Sequence, residues 1–348
     1  MARESLQIEL AERPVGDIIP GKTFRQRSVP APTEADLKDG DLLLENLYLS
    51  LDPAMRGWLE DKRSYVPPVQ IGEVMRGFTI ARVIASKSPK AQPGDIVTGT
   101  LGFREVDIMP ASQVDPPLSL PSNGKITDLM GVLGMTGLTA YFGMIKIGQP
   151  KPGETVVVSA AAGATGSVAA QIAKIMGARV VGTAGSDEKV RWLKEELGLD
   201  EALNYKDPDF KAKFKAATPK YVDVFWDNVG GEQLDIALGR PNKFARFVMC
   251  GAISQYNEQN KQGPKNFLSI ISQRIKMQGF IVFDYANEYD AARKQLAQWL
   301  SEGKLQRKET IIKGGLRVAD EAINRLFKGG NTGKLIVEVK TPEETPKL

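Results

Sequence analysis

From residue 153 the chain alternates apolar strands with amphipathic helices, and that rhythm admits few folds. "ETVVVSA" is a continuous apolar run. "TGSVAAQIAKIMG" follows with apolar residues at helical spacing, and Gly177 closes it. The pairing recurs as "ARVVGTA" with "SDEKVRWLKEELG", where Ser186 is the N-cap, and as "EALNY" with "PDFKAKFKAAT". It continues with "VDVFWDNV" and "GEQLDIAL", "FARFVMCG" and "KNFLSIISQ", then "KMQGFIVF" and "YDAARKQLAQWLSEGK". Strands that are apolar throughout and separated by helices lie buried on both faces. The expected fold is α/β, with a doubly wound parallel sheet over 129–309.

Residues 1–128 have another texture. "DLLLENLYLSLDP", "GFTIARVIAS", "PGDIVTG" and "REVDIMP" read as strands, and Pro and Gly punctuate the rest. Helical spacing first appears over 127–148, "TDLMGVLGMTGLTAYFGMIKIG". The tail from "ETIIKG" to "GKLIVEV" returns to strand, helix, strand. It is expected to complete the first, mostly β domain, so that this domain is 1–128 with 310–348 and the sheet over 129–309 interrupts it. The last residues, "KTPEETPKL", are polar and rich in Pro and are expected to be loose.

The loop "SAAAGATGS" joins the first strand of the sheet to its helix. A dinucleotide loop is usually G-x-G-x-x-G, and here Ala161 stands at the first glycine. That substitution needs only a turn that avoids positive φ. Gly163 lets a pyrophosphate approach the backbone, and Gly166 lets helix and strand pack closely. The helix N-terminus adds N–H donors and a positive dipole end. A helix start packed with small residues would look the same. The second strand separates the alternatives further. An NAD site carries an acid at its tip, about 20 residues on, to bind the ribose 2′-hydroxyl. This tip is Thr183, Ala184 and Gly185, followed by Ser186 and Lys189. A hydroxyl and a cation in place of an acid suit a 2′-phosphate and hence NADP(H). Against this, Ser186 also reads as a simple cap and Lys189 as a surface charge, with Asp187 and Glu188 beside it.

Composition removes whole classes of chemistry. The chain has no histidine and one cysteine, Cys250. A histidine general base, a Ser-His-Asp triad and a cysteine-rich zinc site are excluded. No metal is expected. The net charge is +4 with both signs interspersed, which is not a nucleic-acid footprint. No apolar run is long enough for a membrane span, and the N-terminus lacks a signal-peptide core. The C-terminal "TPKL" shares only its last two residues with a peroxisomal S-K-L address. The expected location is the cytoplasm.

Seven stretches, in order along nearly the whole chain, carry a resemblance. They are "LSLDPAMRGWL" (49–59), "GMTGLTAYFG" (134–143), "AAAGATGSVAAQIAK" (160–174), "GTAGSDEKV" (182–190), "NVGGE" (228–232), "CGAISQYN" (250–257) and "GNTGKLIV" (330–337). The chain resembles the zinc-independent medium-chain dehydrogenase/reductases, in the branch of leukotriene B4 dehydrogenase/prostaglandin reductase and the plant alkenal double-bond reductases. The resemblance implies a GroES-like catalytic domain from 1–128 and 310–348, an NADP-binding Rossmann domain over 129–309, and a homodimer. By motif match, Ser186, Lys189 and Tyr205 hold the 2′-phosphate, with Gly185 beside them. Ala162, Gly163, Ala164, Thr165 and Gly166 form the loop. Met135 and Thr139 lie near the pyrophosphate and nicotinamide. Asn228, Cys250, Tyr256 and Asn331 line the nicotinamide end, and the cofactor set extends to Ala252, Ile253, Phe280, Ile281 and Val282. Arg56, Tyr65, Tyr256 and Phe283 border the substrate. Two departures bear on substrate preference: Ala54 where the family often has an aromatic, and "FREV" where it commonly has a Trp-x-Glu-Tyr-like stretch.

The family reaction sends a hydride from NADPH to the β-carbon of an enal or enone. Charge then builds on the carbonyl oxygen and needs a donor. Without histidine or metal, Tyr256 is the expected donor, since a phenol stays protonated at neutral pH. A purely structural bond from Tyr256 to the ribose is the alternative. Cys250 reads either as a nicotinamide contact or as a small core residue. Arg56 reads either as a carboxylate binder or as the partner of Glu60 one turn on. "YVPPVQ" (65–70) is either a flap or a stiff loop. NADP-dependent alcohol oxidation, quinone reduction and NADPH binding without catalysis remain as rival functions.

Overall fold

The computed structural model describes residues 3–115 and 120–342. The C-terminal "TPKL" and most of the polar tail lie outside the described residues. In chain order the strands are β1 Glu4–Leu10, β2 Phe24–Pro30, β3 Asp41–Ser50, β4 Thr79–Ser86, β5 Ile96–Gly99, β6 Val106–Pro110 and β7 Thr155–Val158. They continue as β8 Arg179–Ala184, β9 Glu201–Asn204, β10 Val222–Asp227, β11 Pro241–Met249, β12 Lys276–Gly279, β13 Glu309–Ile312 and β14 Lys334–Glu338. The helices that matter below are α1 Met135–Phe142, α2 Ala164–Ile175, α3 Asp187–Glu195, α4 Phe210–Ala217, α5 Gly231–Leu238, α6 Leu268–Ser272 and α7 Tyr289–Ser301.

Two compact units share the chain. One comprises residues 1–120, 310–331 and 335–348, and the other 121–309 and 332–334. The first unit is a mixed-order sheet, β13-β14-β3-β4-β5, with β6 also on β3. β3 pairs antiparallel with β14, β4 and β6. Its core explains why both chain ends belong to it. Phe24 and Phe103 stack with centroids 6.2 Å apart, and Leu316, Ala319 and Ile323 from the returning end pack into the same cluster. The hairpin of β1 and β2 escapes the pattern reading because β2, "FRQRSVP", is largely exposed.

The second unit is built on one sheet in the order β12-β11-β10-β7-β8-β9. Every pairing for which a register is assigned is parallel. This is the doubly wound Rossmann order, and it matches the α/β fold read from the alternation. Val157, Val181, Phe225 and Phe247 fill one face beneath α4 and α5. Each such side chain contributes about 1.5–3 kcal/mol by burial.

Two expected elements change shape. The helical spacing over 127–148 is not one helix. Gly134 is extended, and a Cβ there would lie 2.2 Å from the Leu129 carbonyl oxygen, so α1 starts afresh at Met135. Beyond Phe142 the turns widen into a π-type segment, Gly143–Gly148. The strand expected over "KMQGFIVF" ends at Gly279. Its partner β11 ends at Met249, which is opposite Gly279, so no ladder remains for Phe280 onward. Val282–Glu288 is instead a 3-10 segment with a kink.

Candidate active site

Strand order reverses between β7 and β10, and in such sheets ligands bind at the carboxyl ends beside that reversal. The loops leaving these strands carry the expected cofactor residues. After β7, Ala160 takes the positive φ, 48°, which frees Ala161 from it. The Ala161 N–H donates to the Thr183 carbonyl of β8. A Cβ on Gly166 would lie 2.3 Å from the Ala160 oxygen, so only glycine permits this turn. Gly163 is the residue before α2, and a Cβ there would meet only the Ala160 oxygen, at 3.2 Å. Ala164 and Thr165 open the helix.

The sequence reading left out what seals this loop from below. Gly333 donates its N–H to the Ala162 carbonyl at 2.8 Å and bridges to Gly163. Its φ is 65°, and a Cβ would fall 1.8 Å from the Lys308 carbonyl oxygen. The signal was present as Gly333 in "GNTGKLIV", one of the matching stretches. Asn331, two residues earlier, falls in the other unit.

At the tips of β8 and β9 lies a positive corner. Ser186 caps α3 through its Oγ, which accepts from the Lys189 N–H. Lys189 is half-buried. Burial, then the neighbouring Lys206, hold its ammonium below the ordinary lysine value, with Glu188 acting weakly the other way. Tyr205 stands beside Gly185, whose added Cβ would lie 3.1 Å from the ring, and Lys206 lies over that ring at 6.0 Å. The acid that weakened the sequence argument is engaged elsewhere: Asp187 accepts from the Asn204 amide at 2.8 Å. Two lysines close enough to oppose each other's charge fit a phosphate, and the corner therefore fits a 2′-phosphorylated dinucleotide. Lys206 was missed because its neighbour Tyr205 drew the motif match.

The tip of β10 is tied to β7 and β11. Asn228 donates its N–H to Ser159 Oγ at 2.8 Å and its amide to the Ser159 carbonyl at 2.7 Å. Trp226 donates its indole N–H to Asn228 Oδ1 at 3.0 Å. Asn228 is thus fixed by its own fold. The backbone N–H groups of Cys250 and Gly251 donate to the Asp227 carbonyl, and those of Ile253 and Ser254 to the carbonyls of Asn228 and Val229. Tyr256 turns back over this loop, its phenol oxygen accepting from the Ala252 N–H at 3.1 Å. That bond uses one lone pair of the phenol oxygen. Burial, with the Asp227 charge beside it, pushes the Cys250 thiol up to about 12. It is a small neutral wall, not a nucleophile.

Nearby, Thr139 of α1 donates to the Met135 carbonyl at 2.7 Å. Phe280 meets Trp226 edge-on, with centroids 5.9 Å apart. Ile281 precedes the kinked segment that begins at Val282, and Phe283 is largely exposed.

In the first unit, Arg56 is 3% exposed. Its guanidinium donates to the carbonyls of Gly16 and Pro14 and to Glu60 at 3.2 Å. Of the two readings, the pair with Glu60 is present in the structure. Tyr65 is 45% exposed, and its phenol accepts from the Trp58 indole N–H at 3.0 Å. Burial raises its pKa most and the Asp52 charge adds to that, against the Trp58 bond and the Arg76 charge. Arg76 lies over the Trp58 ring and donates to the Pro67 carbonyl. Val69 is buried and donates its N–H to the Trp58 carbonyl, so "YVPPVQ" is a stiff, anchored loop.

Two family models match the chain. The model described as "N-terminal domain of oxidoreductase" matches residues 6–116, and "Zinc-binding dehydrogenase" matches 164–300. An NADPH-dependent curcumin reductase of Escherichia coli is 40% identical, covering 95% of this chain and 95% of that protein. The chain belongs to the zinc-independent medium-chain dehydrogenase/reductase family. A 2-alkenal reductase (NADP(+)-dependent) of Nicotiana tabacum is 41% identical over 86% of this chain and 87% of its own. The structure of CurA from Vibrio vulnificus in complex with NADPH superposes with a TM-score of 0.89 at 38% identity, over 97% of this chain and 100% of that one. The "zinc-binding" of the second family model does not carry over to this medium-chain reductase. It has no histidine, and among the described residues no group of three or more His, Cys, Asp or Glu could hold a metal ion.

Proposed function

We propose that this oxidoreductase uses NADPH to reduce the α,β carbon–carbon double bond of enals and enones. The observation that carries the cofactor half is the corner of Ser186, Lys189, Tyr205 and Lys206, where two lysines lie close enough to oppose each other's charge. Relatives 40% and 41% identical to this chain are named for NADPH-dependent curcumin reduction and NADP(+)-dependent 2-alkenal reduction. NADPH supplies a hydride to the β-carbon, leaving as NADP⁺.

The chain's own residues do the rest. The start of α2, at Ala164 and Thr165, would present backbone N–H groups to the pyrophosphate, and Gly163 and Gly166 leave room for its approach. The loop of Asn228, Cys250, Ala252 and Ile253 walls the nicotinamide end without offering a nucleophile to an electrophilic substrate. Tyr256 donates its phenol proton toward the carbonyl oxygen as enolate charge develops there. The α-carbon takes its proton from Tyr256 or from water, which completes the reduction. Two copies of the chain form a homodimer, on the sheet edge argued in the Discussion. No described helix is long and apolar enough to cross a membrane, and we assign the enzyme to the cytoplasm.

The test is NADPH consumption at 340 nm with crotonaldehyde, 2-hexenal, a long-chain enone and a quinone. Turnover of the enals and enones is expected. Turnover of the quinone alone would replace this reading with quinone reduction, and binding without turnover would make the chain a non-catalytic NADPH binder. Tyr256→Phe should lower kcat on the preferred enal by roughly 10- to 1000-fold. An unchanged kcat with a raised NADPH KM would reduce Tyr256 to holding the cofactor.

A further inference from the structure

Beneath the nucleotide loops lies a carboxylate that the reaction above does not use. Asp227 ends β10 and is fully buried. Its Oδ1 accepts three hydrogen bonds: from Ser159 Oγ at 3.0 Å, from the Val229 N–H at 2.9 Å and from the Gly230 N–H at 2.9 Å. Its carbonyl accepts the N–H groups of Cys250 and Gly251, each at 2.9 Å. One residue therefore joins the tips of β7, β10 and β11. Its other oxygen, Oδ2, is buried with no hydrogen-bond partner.

This division of labour is unusual. A carboxyl whose only task was to tie loops would spread its acceptors over both oxygens, because an orphaned buried oxygen is costly. Asn228 already ties β10 to β7 through two further bonds to Ser159. What an amide or hydroxyl could not supply at this position is negative charge. The three donors on Oδ1 favour the ionised form against the burial that raises its pKa. The charge is felt at the strand tips, where it adds to the rise in the Cys250 pKa.

We propose that Asp227 is a positioning residue whose buried carboxylate, fixed at the strand-order reversal, favours the oxidised, cationic nicotinamide over the reduced, neutral one. The inference rests on the reading that Asn228, Cys250 and Tyr256 wall the nicotinamide end. A negative charge there attracts the positive charge that the ring carries only after the hydride has left. It thereby assists hydride departure without touching substrate.

The test compares Kd values of NADP⁺ and NADPH, measured by calorimetry and by quenching of tryptophan fluorescence, for wild type and D227N. D227N keeps the acceptor at Oδ1 and removes the charge. It should weaken NADP⁺ relative to NADPH by on the order of tenfold, the size expected for one unit charge at short range in a protein of moderate dielectric constant. If D227N does not fold, Asp227→Ser removes the same charge and carries the same expectation. An unchanged ratio in the folded variant, or equal weakening of both nucleotides, would make Asp227 a structural tie and overturn the proposal. Failure of the wild type to bind either nucleotide would instead overturn the NADPH reading itself.

Discussion

Lys189 sits where burial and a second lysine both work against its charge. A 2′-phosphate bound between Lys189 and Lys206 would reverse both penalties, and the corner therefore selects for that group. Lys189→Ala should cost most of the preference for NADPH over NADH, with Lys206→Ala giving a smaller loss. An unaltered ratio of the two KM values would place phosphate recognition elsewhere. The pH dependence has a definite sign. The free protein loses the Lys189 proton below the ordinary lysine range, so NADPH affinity should fall as pH rises through that depressed value while NADH affinity stays level. In the unliganded protein the same shift means the unfolded chain binds this proton more tightly. The contribution of Lys189 to stability then rises with pH between its folded and unfolded pKa values. Sequence made half of this corner legible. Ser186, Lys189 and the missing acid could be read from spacing alone, whereas Lys206 depends on β9 lying beside β8, a pairing no local pattern states. Arg56 shows the opposite limit. Its pairing with Glu60 was legible from the i,i+4 spacing, but the carbonyls of Pro14 and Gly16 that also hold it lie about forty residues away in the chain.

At the scale of elements, the glycine loop is held by a turn on each side. Gly166 closes it against Ala160, and Gly333 closes it from the far end of the chain. Gly333→Ala meets both a positive φ and a backbone oxygen 1.8 Å from the new methyl, so the strand start must shift. We expect a loss of about 1–3 kcal/mol in stability, typical of overpacking, together with a raised NADPH KM because the Ala162 carbonyl loses its partner. Chemical denaturation and a KM measurement check the two parts. A stable variant with normal KM would show that the bridge from Gly333 to Gly163 does not shape the loop. The alternation of apolar strands and helices revealed this sheet because each buried parallel strand must be apolar on both faces. The elements that departed from the reading did so for reasons outside their own sequence: α1 because Gly134 must clear the Leu129 carbonyl, and β12 because β11 ran out.

At the scale of the whole molecule, the open edges of the parallel sheet differ in character. Beside β9 stand Lys206, Asp207 and Lys213, the last paired with Asp207. Before β12 stand Phe267, Leu268 and Ile271, which are 54%, 62% and 72% exposed. Apolar groups grouped this way beside an unpaired strand are a liability unless they are covered. A second copy related by a two-fold axis would cover them with the same residues and could extend the sheet through β12. Light scattering on the full chain should give twice the monomer mass. Ile271→Glu places a carboxylate in the middle of the apolar group and should shift the protein to monomer at micromolar concentration. Its NADPH Kd should stay close to wild type, because α6 contributes none of the residues assigned to the cofactor. A wild-type monomer would sink the dimer. A dimer that survives both Ile271→Glu and Leu268→Glu would place the interface on another face, since an edge joined through these side chains could not bury two facing carboxylates without a partner.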